Sequence, residues 1–414
     1  LKRVFEKIQE PDLSTKIKHN FYIDDLTPAQ VYQDFKQNPK KSDSYQIDSL
    51  DYFYPSTPSL NQCLHYYEYE SKVLTLINLP ELVKLSPEAS INSLNILIKV
   101  TIPSEITIPK KSKSVTAPDG SIYFIGGEQS DNTIVLAPQA ESSKNKKFNK
   151  EIPLLIPATL DKKNKRKGST DMITLGFLSE RAKMPYPKYG QELVYVGNGF
   201  IYSIAGLCGG TEDGYTNTCE RYSVSEDSWS EISPCIYPAS HPGVCVFDNK
   251  YIYKFGGYSN ADLVSLNKIE RYNLDENIWT EIEYISPKDK VSIWPKTFPL
   301  QINDQEIMIL GGQENIFMYS EDCLFLRVNK FEQERIQSPK LRTFDPDSTN
   351  SNKIKTIREE IEKSKDLMLP LGSRLVYQAL IHDGKLYCLT IKTEAEETVK
   401  NVLMYDGSQW TVLL

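Results

Sequence analysis

Five twelve-residue stretches of the chain align without a gap. They are TAPDGSIYFIGG (Thr116 to Gly127), YVGNGFIYSIAG (Tyr195 to Gly206), VFDNKYIYKFGG (Val246 to Gly257), QINDQEIMILGG (Gln301 to Gly312) and LIHDGKLYCLTI (Leu380 to Ile391). Each reads as an apolar segment, a two-residue turn and a second β-rich segment, which in the first four copies ends at a small-residue pair. The turns Asp119-Gly120, Asn198-Gly199, Asp248-Asn249, Asn303-Asp304 and Asp383-Gly384 use residues that tolerate the positive φ of tight hairpins. The segment after each turn is β-branched, aromatic or otherwise apolar at most positions, as expected of a strand buried on both faces. A chain that repeats one hairpin this way is constrained to an array of like units.

A second signal follows the glycines. TCERYSVSEDSW carries Tyr222 and Trp229, and KIERYNLDENIW carries Tyr272 and Trp279 at the same spacing, so these two copies repeat with a period of about fifty residues. LMYDGSQW supplies Tyr405 and Trp410 across a shorter turn. In LFLRVNKFEQERI, Leu326 takes the Tyr place and Phe331 is the expected aromatic. HYYEYESKVL, Tyr67 to Leu74, reads as a weakened copy of the Tyr signal. Each unit is therefore expected to hold four strands, two before the glycines and two carrying Tyr and Trp.

Gly126-Gly127, Gly206, Gly256-Gly257 and Gly311-Gly312, followed by Tyr222/Trp229 and Tyr272/Trp279, resemble the kelch repeat. The resemblance covers most of residues 45–414. It implies an all-β fold, a six-bladed β-propeller of four-stranded antiparallel blades. The sixth unit is expected in Ser49 to Leu79, which supplies three strands with its first unclear. Seven blades stay open if upstream sequence is absent. Glycine pairs permit close backbone approach, and Tyr and Trp bury broad faces between blades while their polar tips bond to backbone. A blade buries its faces only against neighbours, so the ring must close.

Two insertions interrupt the period. Residues 141–169 hold Lys144, Lys146, Lys147, Lys150, Lys162, Lys163, Lys165, Arg166 and Lys167 against three acids. Within them, EIPLLIP is a candidate last strand of its blade. In residues 339–369, Ile354, Ile357, Ile361 and Met368 sit at helical spacing, so a helix is expected there. Residues 1–44 form an N-terminal extension that begins with a short amphipathic segment, Leu1 to Gln9. The propeller is expected over 45–414.

Composition bounds the function. The formal net charge is −7, which discourages nonspecific contact with DNA phosphates. The chain has 7 Cys, an odd number. Cys63, Cys208, Cys219, Cys235, Cys245, Cys323 and Cys388 show no CxxC spacing, so they read as buried thiols of a reducing compartment, with a Cys208–Cys219 bridge as the exception. His19, His65, His241 and His382 form no ligand cluster with them, and no metal or cofactor is expected. No apolar run is long enough to cross a membrane as a helix, and no signal peptide is visible. High Tyr, Lys, Ile and Asn usage suggests an AT-rich genome, such as a protist's.

No GxSxG, Walker or HExxH motif is present. Gly206 to Gly214 is glycine-rich but leads into a strand, so it lacks the helix N-terminus of a phosphate cradle. The resemblance extends to copper radical oxidases and sugar mutarotases with kelch-type blades. His241, in a loop between blades, and His382, in a hairpin turn, do not supply the oxidase ligand set. A noncatalytic protein-interaction scaffold, cytoplasmic and in a cytoskeletal or ciliary assembly, is the expected function. The alternatives are a substrate receptor of a ubiquitin ligase and a carbohydrate-acting enzyme that uses the central channel. For Lys162, Lys163, Lys165, Arg166 and Lys167 the plainer reading is a solvated loop. The functional one is contact with an acidic partner such as a tubulin tail.

Overall fold

The computed structural model of the chain describes residues 59–84, 96–138, 151–157, 172–209, 214–260, 263–285, 291–314, 318–328, 357–370, 375–394 and 397–414. They build the unit Pro58–Ile156 with Ile173–Leu414. Of a second unit, Leu1–Thr57 with Pro157–Met172, only Pro157 and Met172 are described. The N-terminal extension and the run from Lys162 to Lys167 therefore lie outside the described residues.

The unit is a six-bladed β-propeller. Blade one holds β1 (Cys63–Glu68), β2 (Val73–Asn78) and β3 (Leu97–Thr101). Blade two holds β4 (Lys113–Thr116), β5 (Ile122–Ile125), β6 (Thr133–Ala137), β8 (Met172–Arg181) and, outermost, β7 (Ile152–Pro157). Blade three is β10 (Glu192–Val196), β11 (Phe200–Cys208), β12 (Tyr215–Ser223) and β13 (Ser228–Ile232), with the short β9 (Lys188–Tyr189) paired to the end of β11. Blade four is β14 (Gly243–Phe247), β15 (Tyr251–Phe255), β16 (Ile269–Asn273) and β17 (Ile278–Ile285). Blade five is β18 (Phe298–Gln301), β19 (Glu306–Leu310), β20 (Asp322–Arg327) and β21 (Ile357–Met368). Blade six is β22 (Leu375–His382), β23 (Lys385–Glu394), β24 (Glu397–Tyr405) and β25 (Trp410–Val412).

The strand register reproduces the gapless alignment. Ile201 faces Tyr222, Ile252 faces Tyr272, Ile307 faces Leu326 and Leu386 faces Tyr405. In the hairpin turns, Gly120, Gly199, Asp248, Asn249, Asp383 and Gly384 have positive φ. The Asn303-Asp304 turn is held differently, by the Asn303 carboxamide accepting the Gln305 N–H.

Strands β1, β4, β10, β14, β18 and β22 are the inner strands; five neighbouring pairs pack along the backbone, and His65 to Ser114 joins β1 to β4. Six apolar cores follow, one between each pair of adjacent blades. The last sets Leu64 and Ile77 of blade one against Tyr387, Leu389 and Val402 of blade six, which closes the ring by side-chain packing.

The Tyr and Trp of the repeat work at these seams. Tyr222 packs on Tyr123 of the preceding blade at 5.9 Å between rings, and Tyr272 packs on Tyr202 at 6.3 Å. Tyr222 donates to Asp227 at 2.6 Å and Tyr272 to Asn277 at 2.7 Å. Those same acceptors receive the backbone N–H of Ala182 and Ser233, at the exit of the preceding blade. Trp229 and Trp279 donate to the carbonyls of the same two residues, both at 2.9 Å. One Tyr, one Trp and one left-handed Asp or Asn thus clamp blade three and blade four each to the strand before it. Gly257 needs its lack of Cβ for a related reason. With φ at 104°, a Cβ there would lie 2.9 Å from both Ala239 Cβ and the Ser240 carbonyl, on the linker entering its own blade.

Several expectations are corrected. Residues 49–79 supply only β1 and β2 among the described strands, and the third strand of blade one is β3. Tyr67 lies on the inner strand and not in the Tyr place. The expected helix around Ile357, Ile361 and Met368 is the strand β21. Its Ile361, fully buried, stands opposite Leu326 in the Trp place, while Ile354 and Phe331 lie outside the described residues. The charged, helix-prone sequence is overruled because β20 needs an outer partner and Ile361 fills the seam. Strand β21 also pairs in parallel with β17, joining blades four and five into one sheet. EIPLLIP is an added strand outside β8, which completes the blade. Both insertions therefore fall between a third and a fourth strand. Cys208 and Cys219 are not bridged, and all seven Cys are free.

Candidate functional site

The linkers entering the inner strands share one backbone feature. Lys111, Gly190, His241 and Lys296 have φ of 60°, 63°, 51° and 58°. Each stands five residues before an aligned stretch, which begin at Thr116, Tyr195, Val246 and Gln301. The His241 N–H donates to the Gly190 carbonyl at 2.6 Å, and the Lys296 N–H donates to the His241 carbonyl at 2.8 Å. Linkers of three successive blades are thereby tied together around the channel mouth. Left-handed backbone costs about 1–3 kcal/mol at a residue other than glycine, and such strain gathers at functional sites.

Polar side chains from all six blades lie along this end of the inner strands. Lys113 pairs with Glu192 at 2.8 Å. Burial raises the Glu192 carboxyl pKa, and Lys113 opposes that rise. Lys111 pairs with Glu128 at 3.1 Å and lies over the Tyr189 ring. The His241 ring is seated on Gly190, where an added Cβ would come within 2.9 Å of Cε1, and it meets the edge of Tyr258. Burial, then Lys296, Lys113 and Lys111, lower the His241 pKa to about 4. Lys296 is half-buried and burial lowers its pKa; among the described residues it has no carboxylate partner. Tyr215 and Tyr319 lie near the Tyr258 hydroxyl.

Blades one, two and six meet at His65, which is 1% exposed. The Gln378 carboxamide oxygen accepts the His65 backbone N–H at 2.6 Å, so its nitrogen faces His65 Nδ1 at 3.0 Å. Nδ1 must accept there. The ring proton then sits on Nε2, which donates to Ser114 Oγ at 3.0 Å. Ser114 also meets the Tyr377 hydroxyl. A β-bulge in β22 between Val376 and Gln378 turns Tyr377 and Gln378 to this position. Burial lowers the His65 pKa to about 4.

Of the expected structural residues, Gly126, Gly127, Gly206, Gly256, Gly257 and Gly312 pack against the linkers that enter the inner strands, beside this mouth; Gly311 lies in the same pair as Gly312, and Tyr222, Trp229, Tyr272, Trp279, Tyr405 and Trp410 sit in the blades and at their seams. Tyr405 and Trp410 stack at 5.1 Å. His241 is at the mouth, while His382 ends β22 beside Asp383 and Tyr387. Lys111, Lys113, Glu192, Lys296 and Tyr377 were not singled out from sequence. Extending the alignment three and five residues upstream finds all of them. Among the described residues, no group of three or more His, Cys, Asp or Glu is placed to hold a metal, and no helix is long and apolar enough to cross a membrane.

A ring of antiparallel blades with polar groups where the inner strands begin defines a β-propeller. Residues 238–284, the whole of blade four with its entry, match the family model described as Kelch motif. The chain is 31% identical over 119 residues to Kelch domain-containing protein 10 of Homo sapiens, covering 28% of this chain and 26% of that one. It is 31% identical over 151 residues to a kelch repeat-containing protein of Dictyostelium discoideum, covering 31% and 22%. The matched stretches thus span about a quarter of those relatives' length. A solved structure titled "Structure of YjhT" superposes with TM-score 0.47 at 11% identity over 73% of this chain and 82% of that one, too distant to argue from. Blade four thus carries a kelch motif, and the other blades repeat its strand order.

Proposed function

We propose that this chain is a protein-interaction scaffold that binds its partner on the mouth side of the propeller. One observation carries the reading. Tyr186, Ile236, Leu263, Val264 and Met318 are exposed large apolar side chains, and all lie in linkers or second-to-third-strand loops on that side. Kelch-type propellers commonly serve as interaction modules, and loops on a rigid frame carry recognition. The far side presents Tyr69, Ile278 and Ile381, each on a different blade.

The partner assembly is of cytoskeletal or ciliary kind, and the basic run from Lys162 to Lys167 is a second, salt-sensitive contact for acidic chains. The test is quantitative co-purification from native extract, with the tagged chain imaged in the same cells. The joint variant Leu263→Asp, Val264→Asp, Met318→Asp is expected to lower partner recovery at least tenfold. Ile278→Asp with Ile381→Asp is expected to leave recovery unchanged. The reverse pattern would sink the proposal, and a diffuse distribution in cells would remove the assembly.

A second reading is catalysis on a carbohydrate, favoured by the Lys113–Glu192 pair and the raised Glu192 pKa at the mouth. It requires a sugar that binds saturably and is turned over, with turnover lost in Glu192→Gln. A panel of sugars showing no saturable binding removes it.

A further inference from the structure

The mouth holds a cation whose counter-ion is not among the described residues. Lys111 and Lys113 are matched by Glu128 and Glu192. Lys296 is not matched, although it is half-buried, strained in φ and hydrogen-bonded through its backbone to His241 of the preceding linker. A desolvated ammonium gains most from a carboxylate that arrives with a ligand, because the lysine has already lost part of its hydration. Tyr258 meets the edge of the neighbouring His241 ring with Tyr319 near its hydroxyl, and exposed Leu263, Val264 and Met318 lie in the loops of the same two blades. A cation within an apolar and aromatic surround matches an acidic residue carried on an apolar segment.

We propose that Lys296, beside His241, receives the carboxylate of an aspartate or glutamate side chain presented by an apolar segment of a protein partner. The inference rests on the docking face proposed above and names the chemistry that its centre selects. The incoming charge offsets Lys296, which after burial is the next cause of the low His241 pKa, so binding raises that pKa.

The test is peptide display on the purified chain. One random library has both peptide ends blocked by fusion, and a second has free C-termini. Both are selected on wild type, Lys296→Arg and Lys296→Asn. Asn is chosen because it tolerates the left-handed backbone. The blocked library is expected to return Asp or Glu flanked by apolar residues on wild type and on the Arg variant. Acid enrichment is expected to fall at least tenfold on Lys296→Asn. Peptides without an acid, or the same acidic consensus on Lys296→Asn, overturn the inference. So does acid selection confined to free C-termini, or a selection that enriches nothing. Acid-free peptides lost on Leu263→Asp with Val264→Asp would overturn the carboxylate while leaving the docking face standing.

Discussion

Replacing Glu270 by Ala is expected to destabilise the propeller by about 3–5 kcal/mol, far more than its single ion pair suggests. Glu270 is 1% exposed. One carboxylate oxygen accepts from Lys254, itself 1% exposed, and the other accepts the Ile236 N–H at 2.6 Å. Removing the acid leaves a buried ammonium with only the Tyr237 carbonyl, 3.0 Å away. Lys254→Met alone leaves the opposite charge uncompensated and is expected to cost a similar amount. The double variant Lys254→Met, Glu270→Leu buries no charge and is expected to recover much of the loss. Urea titration of the four proteins closes the cycle. A Glu270→Ala cost below about 1 kcal/mol would contradict the account.

The pair also bears on the site. Ile236 and Tyr237 belong to the linker that carries His241, so the pair holds the mouth in place. Blade three meets the same need differently. Glu220 occupies the place of Glu270, but the place of Lys254 is Ser203. Lys188 from β9 reaches Glu220 instead, at 2.5 Å, and anchors the linker that carries Gly190.

Acidification is expected to loosen the ring at the junction of blades one, two and six. The folded His65 pKa is about 4, below the usual 6.5. The folded state therefore binds fewer protons than the unfolded chain across that window. Stability is full above about pH 6.5 and falls as pH drops towards 4, by about 3 kcal/mol when complete. A proton on Nδ1 would face the Gln378 amide nitrogen, which cannot turn away without releasing the His65 backbone N–H. Lys113 and Glu192 act on the Tyr377 hydroxyl of this network, Phe124 packs edge-on against the His65 ring, and burial is what disfavours the charged ring. Urea titrations from pH 7 to pH 4 are expected to show a steep loss for wild type and a shallower one for His65→Gln. Equal slopes would remove His65 as the cause. His241, with a pKa also about 4, contributes in the same direction.

The parts legible in the sequence are those decided locally. Hairpin turns, twelve-residue stretches and the Tyr–Trp spacing are set by φ preferences and alternating burial, and they mark the blades. The mouth was half legible. His241 stood out as a histidine, whereas Lys111, Lys113, Glu192 and Lys296 look like ordinary surface charges unless the repeat alignment is carried upstream, because proximity across a ring leaves no trace in neighbouring residues. The misreadings have the same origin. Ile361 and Met368 show helical spacing, and only β20's open edge and the slot opposite Leu326 make that segment a strand. Tyr67 looks like the repeat's Tyr until its pairing with Leu74 places it on an inner strand.

From the amino-acid order alone follow the repeat, its hairpins and the need of the units to close on each other, since those depend on backbone torsions and burial within fifty residues. Which lysine neutralises Glu220, which residue fills the seam opposite Leu326, and which polar groups meet at the channel mouth were decided by the closed ring. Closure brings linkers from distant parts of the chain within hydrogen-bonding range, and only there do their charges have an energy to minimise.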